Sequence, residues 1–224
     1  MSDAVSPENY ELFIEPDLKN FRFKGKVKIY LNIKKPSSKI VLNSSELKIG
    51  DVKIITKNET IKPRIKLNEK YEILSLHLNK PVSNSAIIEI KFEGILNDKL
   101  YGFYRSKYTH NKKEKYLATT QFEAPYARRA FPCFDQPDKK ASFSLTLEIP
   151  KNLKAISNMP VVSEEIMGKN KIIKFQKTPL MSTYLLYLGV GEFEFLTDKL
   201  RDIVIRIVTT EGKKENAEFA LELT

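Results

Sequence analysis

The chain reads as an all-β protein, an antiparallel β-sandwich or open barrel with a short C-terminal helix. Three observations predict this. Short runs of Ile, Val, Phe, Tyr and Thr with period-two alternation recur from Tyr10 to Val208, punctuated by Asn, Lys, Ser and Pro turns. Almost nothing between those runs carries a 3.6-residue apolar period, which disfavours a wound parallel sheet with crossover helices. Only residues 213–223 show such a period, with Ala217, Ala220 and Leu221 on one side.

The first strands fall at 10–15 and 21–33 and suit a hairpin. In the second, Arg22, Lys24, Lys26 and Lys28 alternate with Phe21, Phe23, Val27 and Ile29, which places the cations on the wet face. Lys35, Pro36, Ser37 and Ser38 then read as a break. Strands follow at 40–42, 47–56, 71–78 and 87–95, and in the last of these Ile88, Ile90 and Phe92 face inward while Glu89, Lys91 and Glu93 face water. Residues 100–106 and 116–122 form a hairpin across a polar turn around His110. Residues 124–130 resemble a brief helical turn entered by Pro125, and Pro132 and Pro137 prevent its extension. Strands resume at 141–149, where Phe143, Leu145, Leu147 and Ile149 share a face, then at 172–175, 184–195 and 202–208. No boundary is evident within residues 1–210. The helix at 213–223 is too short to be stable alone and reads as the start of a second unit.

With 42% apolar residues in 224, the chain can bury an ordinary core. Its net charge of +10 comes mostly from lysines spread along the whole length. A nucleic-acid reader would cluster its cations and interleave them with stacking aromatics, so no nucleic-acid partner is expected. The single cysteine, Cys133, cannot form an internal disulfide, and no secretory signal pattern opens the chain. No apolar run approaches the ~20 residues of a membrane span. A cytoplasmic setting without a membrane partner is the expectation. Cys133 itself reads as a small buried apolar residue, because no motif links His77 or His110 to it.

Catalytic zinc needs three protein ligands, commonly two histidines on one helical face. This chain has His77 in a strand-like run and His110 in a lysine-rich turn. It contains no H-E-x-x-H, no glycine-rich phosphate loop and no G-x-S-x-G elbow. No catalytic residue and no metal ligand is therefore expected within it.

The strongest candidate lies in TTQFEAPYARRAFPCFDQPDKKASF at 119–143. Glu123 closes an apparent strand beside a proline-broken turn, and Gln121, two residues earlier, points to the same side. A carboxylate and an amide on one patch suit a peptide amino terminus: the carboxylate accepts charge-assisted hydrogen bonds from the ammonium, and the amide contacts the first residue. A solvated glutamate at a strand end fits the same residues, and both readings stand at this point. Arg128 and Arg129 with Asp135 and Asp138 read as internal ion pairs that fix the turn, with Phe131 and Phe134 packed beneath.

Five spaced segments occur in a recognisable order: GFYRS at 102–106, YLATTQFEA at 116–124, RRAFPCFDQPDKKASF at 128–143, SNMP at 157–160 and FQKTPLMSTYLLYLGVGEFE at 175–194. Together they resemble the amino-terminal domain of the aminopeptidase N family of zinc metallopeptidases, which includes puromycin-sensitive aminopeptidases and tricorn-interacting factors. The resemblance implies a saddle-like amino-terminal β domain over 1–209 and, at 210–224, the start of a catalytic-domain helix. It also implies that Glu123 binds the substrate's free α-amine and that Gln121 lines the pocket for the first side chain. The family's G-A-M-E-N and H-E-x-x-H motifs are not in this sequence. Zinc is therefore implied only for a complete enzyme, and this chain alone is expected to be inactive. The implied partners are a peptide amino terminus and a zinc-bearing catalytic domain. Two departures touch the turn: Tyr126 stands where the family often has aspartate, and Asp135, Gln136 and Pro137 replace its usual D-E-P. The rival expectation is a free-standing β-sandwich that serves as a protein-interaction module without peptidase activity.

Overall fold

A computed structural model describes residues 4–223 of the chain. The strands are β1 (Val5–Asp17), β2 (Arg22–Asn43), β3 (Lys48–Ile55), β4 (Thr60–Ile61), β5 (Arg64–Asn68), β6 (Ile73–Ile95), β7 (Gly102–His110) and β8 (Lys113–Gln121). After a single 3₁₀ turn at Ala127–Arg129 come β9 (Ser142–Pro150), β10 (Lys154–Ser157), β11 (Val161–Met167), β12 (Asn170–Phe175), β13 (Leu188–Gly191), β14 (Phe193–Leu200) and β15 (Ile203–Thr210). A 3₁₀ turn at Lys214–Ala217 leads into the helix α1 (Glu218–Glu222).

A nine-stranded sheet runs β11-β12-β9-β1-β2-β6-β3-β4, with β5 also paired to β6. A four-stranded sheet runs β10-β13-β8-β7, and β14 pairs with β15 alone. Among the described residues no sheet closes on itself. The two larger sheets share one core. Tyr10, Leu12 and Ile14 of β1, Val27 and Ile29 of β2, Ile88 and Ile90 of β6 and Leu145 and Leu147 of β9 meet Phe103, Ala118, Leu188 and Val190 of the smaller sheet. The inward faces expected for 87–95 and 141–149 are the buried ones.

The wet face of the large sheet carries cross-strand ion pairs: Lys24 to Glu15 at 3.0 Å, Lys26 to Glu89 at 2.9 Å and Lys28 to Glu11 at 3.6 Å. Such exposed pairs add at most about 1 kcal/mol each. They do explain how a lysine-rich strand stays soluble without presenting a bare cationic stripe.

Four features differ from the sequence reading. First, β1 and β9 run parallel, in register from Asn9 with Ser142 to Ile14 with Leu147, so the large sheet is mixed. A parallel pair needs a long connection, and here everything from β2 to β8 supplies it without a crossover helix. Second, the break expected at Lys35–Ser38 is a pair of compensating bulges. Lys34, Lys35 and Pro36 oppose only Ser83, and Leu78 to Pro81 oppose only Ser38, so β2 and β6 bend together and continue. Third, the run expected at 184–195 divides into a 3₁₀ turn at Thr183–Leu185, β13 and the start of β14, which leaves the four-stranded sheet at Glu192. Fourth, the helix expected at 213–223 shortens to α1. Its preceding turn is 3₁₀ and no side chain caps it, and Ala217 is buried, Leu221 half-buried and Ala220 exposed.

The outer ends of the expected spans 1–209 and 210–224, namely residues 1–3 and 224, lie outside the described residues.

Candidate functional site

β7 and β8 form a tight hairpin through Asn111 and Lys112, both at positive φ, so the two strands stay paired along their whole length from His110 with Lys113 to Gly102 with Gln121. β8 is held on its other side by β13, where Gly189 pairs with Thr119. Thr120 strengthens that join: its hydroxyl accepts the Leu188 N–H at 3.1 Å. β8 is thus a central strand paired on both sides at Ala118 and Thr119, and its last residue, Gln121, pairs with Gly102 alone.

Alternation then decides which side chains emerge. Thr120 and Phe122 point into the core, and Phe122 packs edge-on against Phe131 with ring centres 6.2 Å apart. Gln121 and Glu123 are both exposed. The Gln121 side-chain oxygen accepts the Glu123 N–H at 3.2 Å, which ties the Gln121 amide to the residue that bears the carboxylate. The Glu123–Ala124 peptide bond is cis. The chain closes back on itself where the Tyr126 N–H donates to the Phe122 carbonyl at 2.9 Å.

The Glu123 carboxylate has no hydrogen-bond or ion-pair partner among the described residues. The two arginines nearby in sequence are committed elsewhere. Arg128 Nε donates to Asp135 Oδ2 at 2.8 Å and its Nη1 to Glu72 Oε2 at 3.0 Å. Arg129 Nη2 donates to Glu72 Oε1 at 2.8 Å, and its Nη1 lies 2.5 Å from Glu46 Oε1 without hydrogen-bond geometry. Ser45 adds a hydroxyl hydrogen bond to Glu72 at 2.8 Å. Burial pushes the Asp135 carboxyl up from its ordinary range, opposed by the adjacent Arg128 guanidinium.

The expected internal pairing of the turn is therefore present for Arg128 and Asp135. Asp138 takes no part, being exposed and 3.9 Å from Lys139. Phe131 and Phe134 are buried beneath the turn as the sequence suggests, and Cys133 is fully buried beside them. Burial, reinforced by the charge of Asp135, drives the Cys133 thiol well above its ordinary pKa.

Glu72 and Glu46 were not legible as members of this turn. Glu72 follows the 3₁₀ turn Glu69–Tyr71 in a left-handed conformation, and nothing local connects it to residues 128 and 129. A cleft of about 610 Å³ lined by Glu46, Asn68, Glu72 and Arg129 does not reach Gln121 or Glu123, which stand on open surface.

Arg129 also stacks. Its guanidinium lies 5.1 Å from the Tyr101 ring centre and 6.0 Å from that of Tyr126, and the two tyrosine rings are stacked at 4.8 Å and 20°. Contacts of this kind contribute about 0.5–1 kcal/mol each at partly exposed sites.

A second ionic cluster joins the smaller sheet to the β14–β15 pair. Lys115 of β8 donates to both Glu192 and Glu211. Those hydrogen bonds hold the Lys115 ammonium pKa well above its usual value, and Lys115 in turn lowers that of Glu211.

His77 lies on β6 and His110 at the end of β7, where Nε2 is 2.9 Å from Asn111 Nδ2 and 3.9 Å from Glu211. Among the described residues no three His, Cys, Asp or Glu side chains are placed to hold a metal ion. The donor set of the described residues does not fit zinc.

Comparison with known proteins agrees with the arrangement. A family model described as the peptidase M1 N-terminal domain matches residues 6–185. The chain is 41% identical over 224 residues to Aminopeptidase M1 of Arabidopsis thaliana, covering 97% of this chain and 26% of that protein. It is 40% identical over 233 residues to Aminopeptidase 2, mitochondrial, of Saccharomyces cerevisiae, covering 100% of this chain and 24% of that protein. It is 38% identical over 227 residues to Puromycin-sensitive aminopeptidase of Caenorhabditis elegans, covering 98% and 24%. The chain thus spans about a quarter of the length of these relatives.

Proposed function

The chain belongs to the peptidase M1 N-terminal domain family, and from that premise we propose that it is the substrate-binding amino-terminal domain of a zinc aminopeptidase that removes N-terminal residues from peptides. The observation that carries this reading is the state of Glu123. Its carboxylate is exposed and, among the described residues, unpaired at the end of a strand, while Arg128 is ion-paired with Asp135 and Glu72 and Arg129 with Glu72 and Glu46.

In this reading the ammonium of a peptide's first residue docks on Glu123 through charge-assisted hydrogen bonds. Gln121 contacts the first residue through its exposed amide. Once the site is closed over by a partner domain, an acylated or internal segment would leave the carboxylate buried and unpaired, which costs several kcal/mol. Free amino termini are selected on that account, and the peptide's register is set.

Zinc is assigned to the partner catalytic domain, because no group in the described residues fits it. The role of this chain is to bind and orient. Lys24, Lys26 and Lys28 on the wet face of its large sheet are paired with glutamates, which supports a peptide rather than a nucleic-acid partner. The lone, buried Cys133 is suited to the reducing cytoplasm. No helix among the described residues is long and apolar enough to cross a membrane.

The test is to assay the purified 224-residue chain on aminoacyl anilides with added zinc and to measure bound metal. The expected result is no turnover and no stoichiometric zinc; steady hydrolysis would overturn the division of labour.

A further inference from the structure

We propose that Tyr126, stacked on Tyr101 above the Arg129 guanidinium, is a positioning residue that fixes where the Glu123 carboxylate meets a peptide ammonium. The inference rests on the amine-binding reading above and deepens it.

Glu123 has no side-chain partner of its own, so its position depends on how its short loop is held at each end. The leading end is fixed by β-pairing of Gln121 with Gly102 and by the buried Phe122 ring on Phe131. The trailing end is fixed by Tyr126, whose N–H closes the loop onto the Phe122 carbonyl at 2.9 Å. The Tyr126 ring is the only part of that trailing residue that can be anchored sideways, and it lies flat on Tyr101 at 4.8 Å.

Tyr101 directly precedes Gly102, the partner of Gln121, so the stack ties the trailing end of the loop to the strand that flanks its leading end. Arg129 is the seat of both rings. Its own place is set by Glu72 and Glu46, and Glu72 also takes Arg128 and Ser45. Gly102 permits the close approach. It sits at φ +69°, and a Cβ there would lie 3.0 Å from Arg129 Cβ. The loop, the β7 strand and the ion pairs to Glu72 and Glu46 therefore converge on one guanidinium, with Tyr126 as the link to Glu123.

Misplacing a binding group by about an ångström can cost up to two orders of magnitude in rate or affinity. A residue acting through Glu123 should matter only while Glu123 is present, whereas a general structural role would persist without it.

The experiment is a double-mutant cycle in the complete peptidase that carries this domain, reading kcat and KM on an aminoacyl anilide for Tyr126→Ala, Glu123→Ala and the double variant, with Tyr126→Phe as the conservative control. Tyr126→Ala is expected to raise KM about tenfold while kcat moves less than about twofold, and Tyr126→Phe to restore KM because it keeps the stack. In the Glu123→Ala background the added effect of Tyr126→Ala should vanish. If Tyr126→Ala does not give folded protein, Tyr126→Leu takes its place in the cycle. A normal Glu123→Ala defect with an absent or additive Tyr126 effect overturns the positioning role alone. An unchanged KM for Glu123→Ala overturns the amine reading and the positioning role with it.

Discussion

Arg128 Nε donates to Asp135 Oδ2 at 2.8 Å, and this contact withdraws from Glu123 a positive charge only five positions away in sequence. A carboxylate next to a free guanidinium would be neutralised before any ligand arrived. Here the turn pairs its arginines with Asp135, Glu72 and Glu46 and leaves the strand-end carboxylate open. The contrast between a closed ion-pair network and one unpaired acid is the physical basis of the proposed amine site.

Asp135→Ala should destabilise the chain strongly. The Asp135 side chain is 1% exposed and that of Arg128 14%, so removing the acid strands part of a buried guanidinium. Losing one partner of such a pair costs about 3–5 kcal/mol, although Glu72 still holds Arg128 and favours the lower figure. Urea unfolding monitored by circular dichroism measures the change. A loss below 1 kcal/mol would show that the turn is held by other contacts.

Cys133 should be unreactive in the folded protein. Its thiol is buried and its pKa lies well above the ordinary value, so it keeps its proton in the native state at pH values where the unfolded thiol has lost it. Because the folded pKa is the higher one, the stability it contributes is complete below pH ~8.5 and falls as pH rises further. A thiol reagent at pH 8 is expected to label the chain only after denaturant is added. Cys133→Ala should flatten the alkaline loss of stability, to the extent that Tyr10, which is raised for the same reason, does not supply it.

Lys115→Gln should loosen the β14–β15 pair without disturbing the large sheet. The substitution leaves Glu192 and Glu211 facing each other without a cation. Amide hydrogen exchange in Phe193–Leu200 and Ile203–Thr210 is expected to accelerate, while exchange in β1, β2 and β6 stays unchanged. Uniform acceleration would contradict a local role. The folded pKa of Glu211 is lowered, so its contribution is present above the ordinary glutamate range and lost as pH falls below it.

Gly102→Ala should cost about 1–2 kcal/mol, from the left-handed backbone and the 3.0 Å approach to Arg129. A thermal melt compared with that of Gly168→Ala, at a glycine with positive φ but nothing within 4 Å of an added Cβ, isolates the close approach to Arg129. Equal melting temperatures would mean that the strand shifts freely.

Sequence reading succeeded where a residue's role depended on its near neighbours. The alternation in 87–95 and 141–149 exposes which side chains are inward, because one face of each strand is buried and the other wet. Gln121 and Glu123 are two apart at the end of a strand and both are exposed, as that spacing suggests. β11 is not legible because Val161–Met167 has no period-two pattern, and β5 is passed over although Ile65 and Leu67 alternate with Arg64, Lys66 and Asn68. The parallel join of β1 to β9 and the contact of Glu72 with Arg128 and Arg129 depend on segments brought together only by the complete fold. Pro36 and Ser37 looked like a terminus because a bulge and a turn draw on the same residue types.

The most direct measurement is competition, in the complete peptidase, between a short peptide and the same peptide acetylated at its amino terminus. The unmodified enzyme should bind the free-amine form more tightly by about two orders of magnitude, as loss of a charge-assisted contact to a closed site requires, and Glu123→Ala should remove most of that preference with little change in melting temperature. A Glu123→Ala enzyme that still discriminates between the two peptides as strongly as the unmodified one would contradict the assignment.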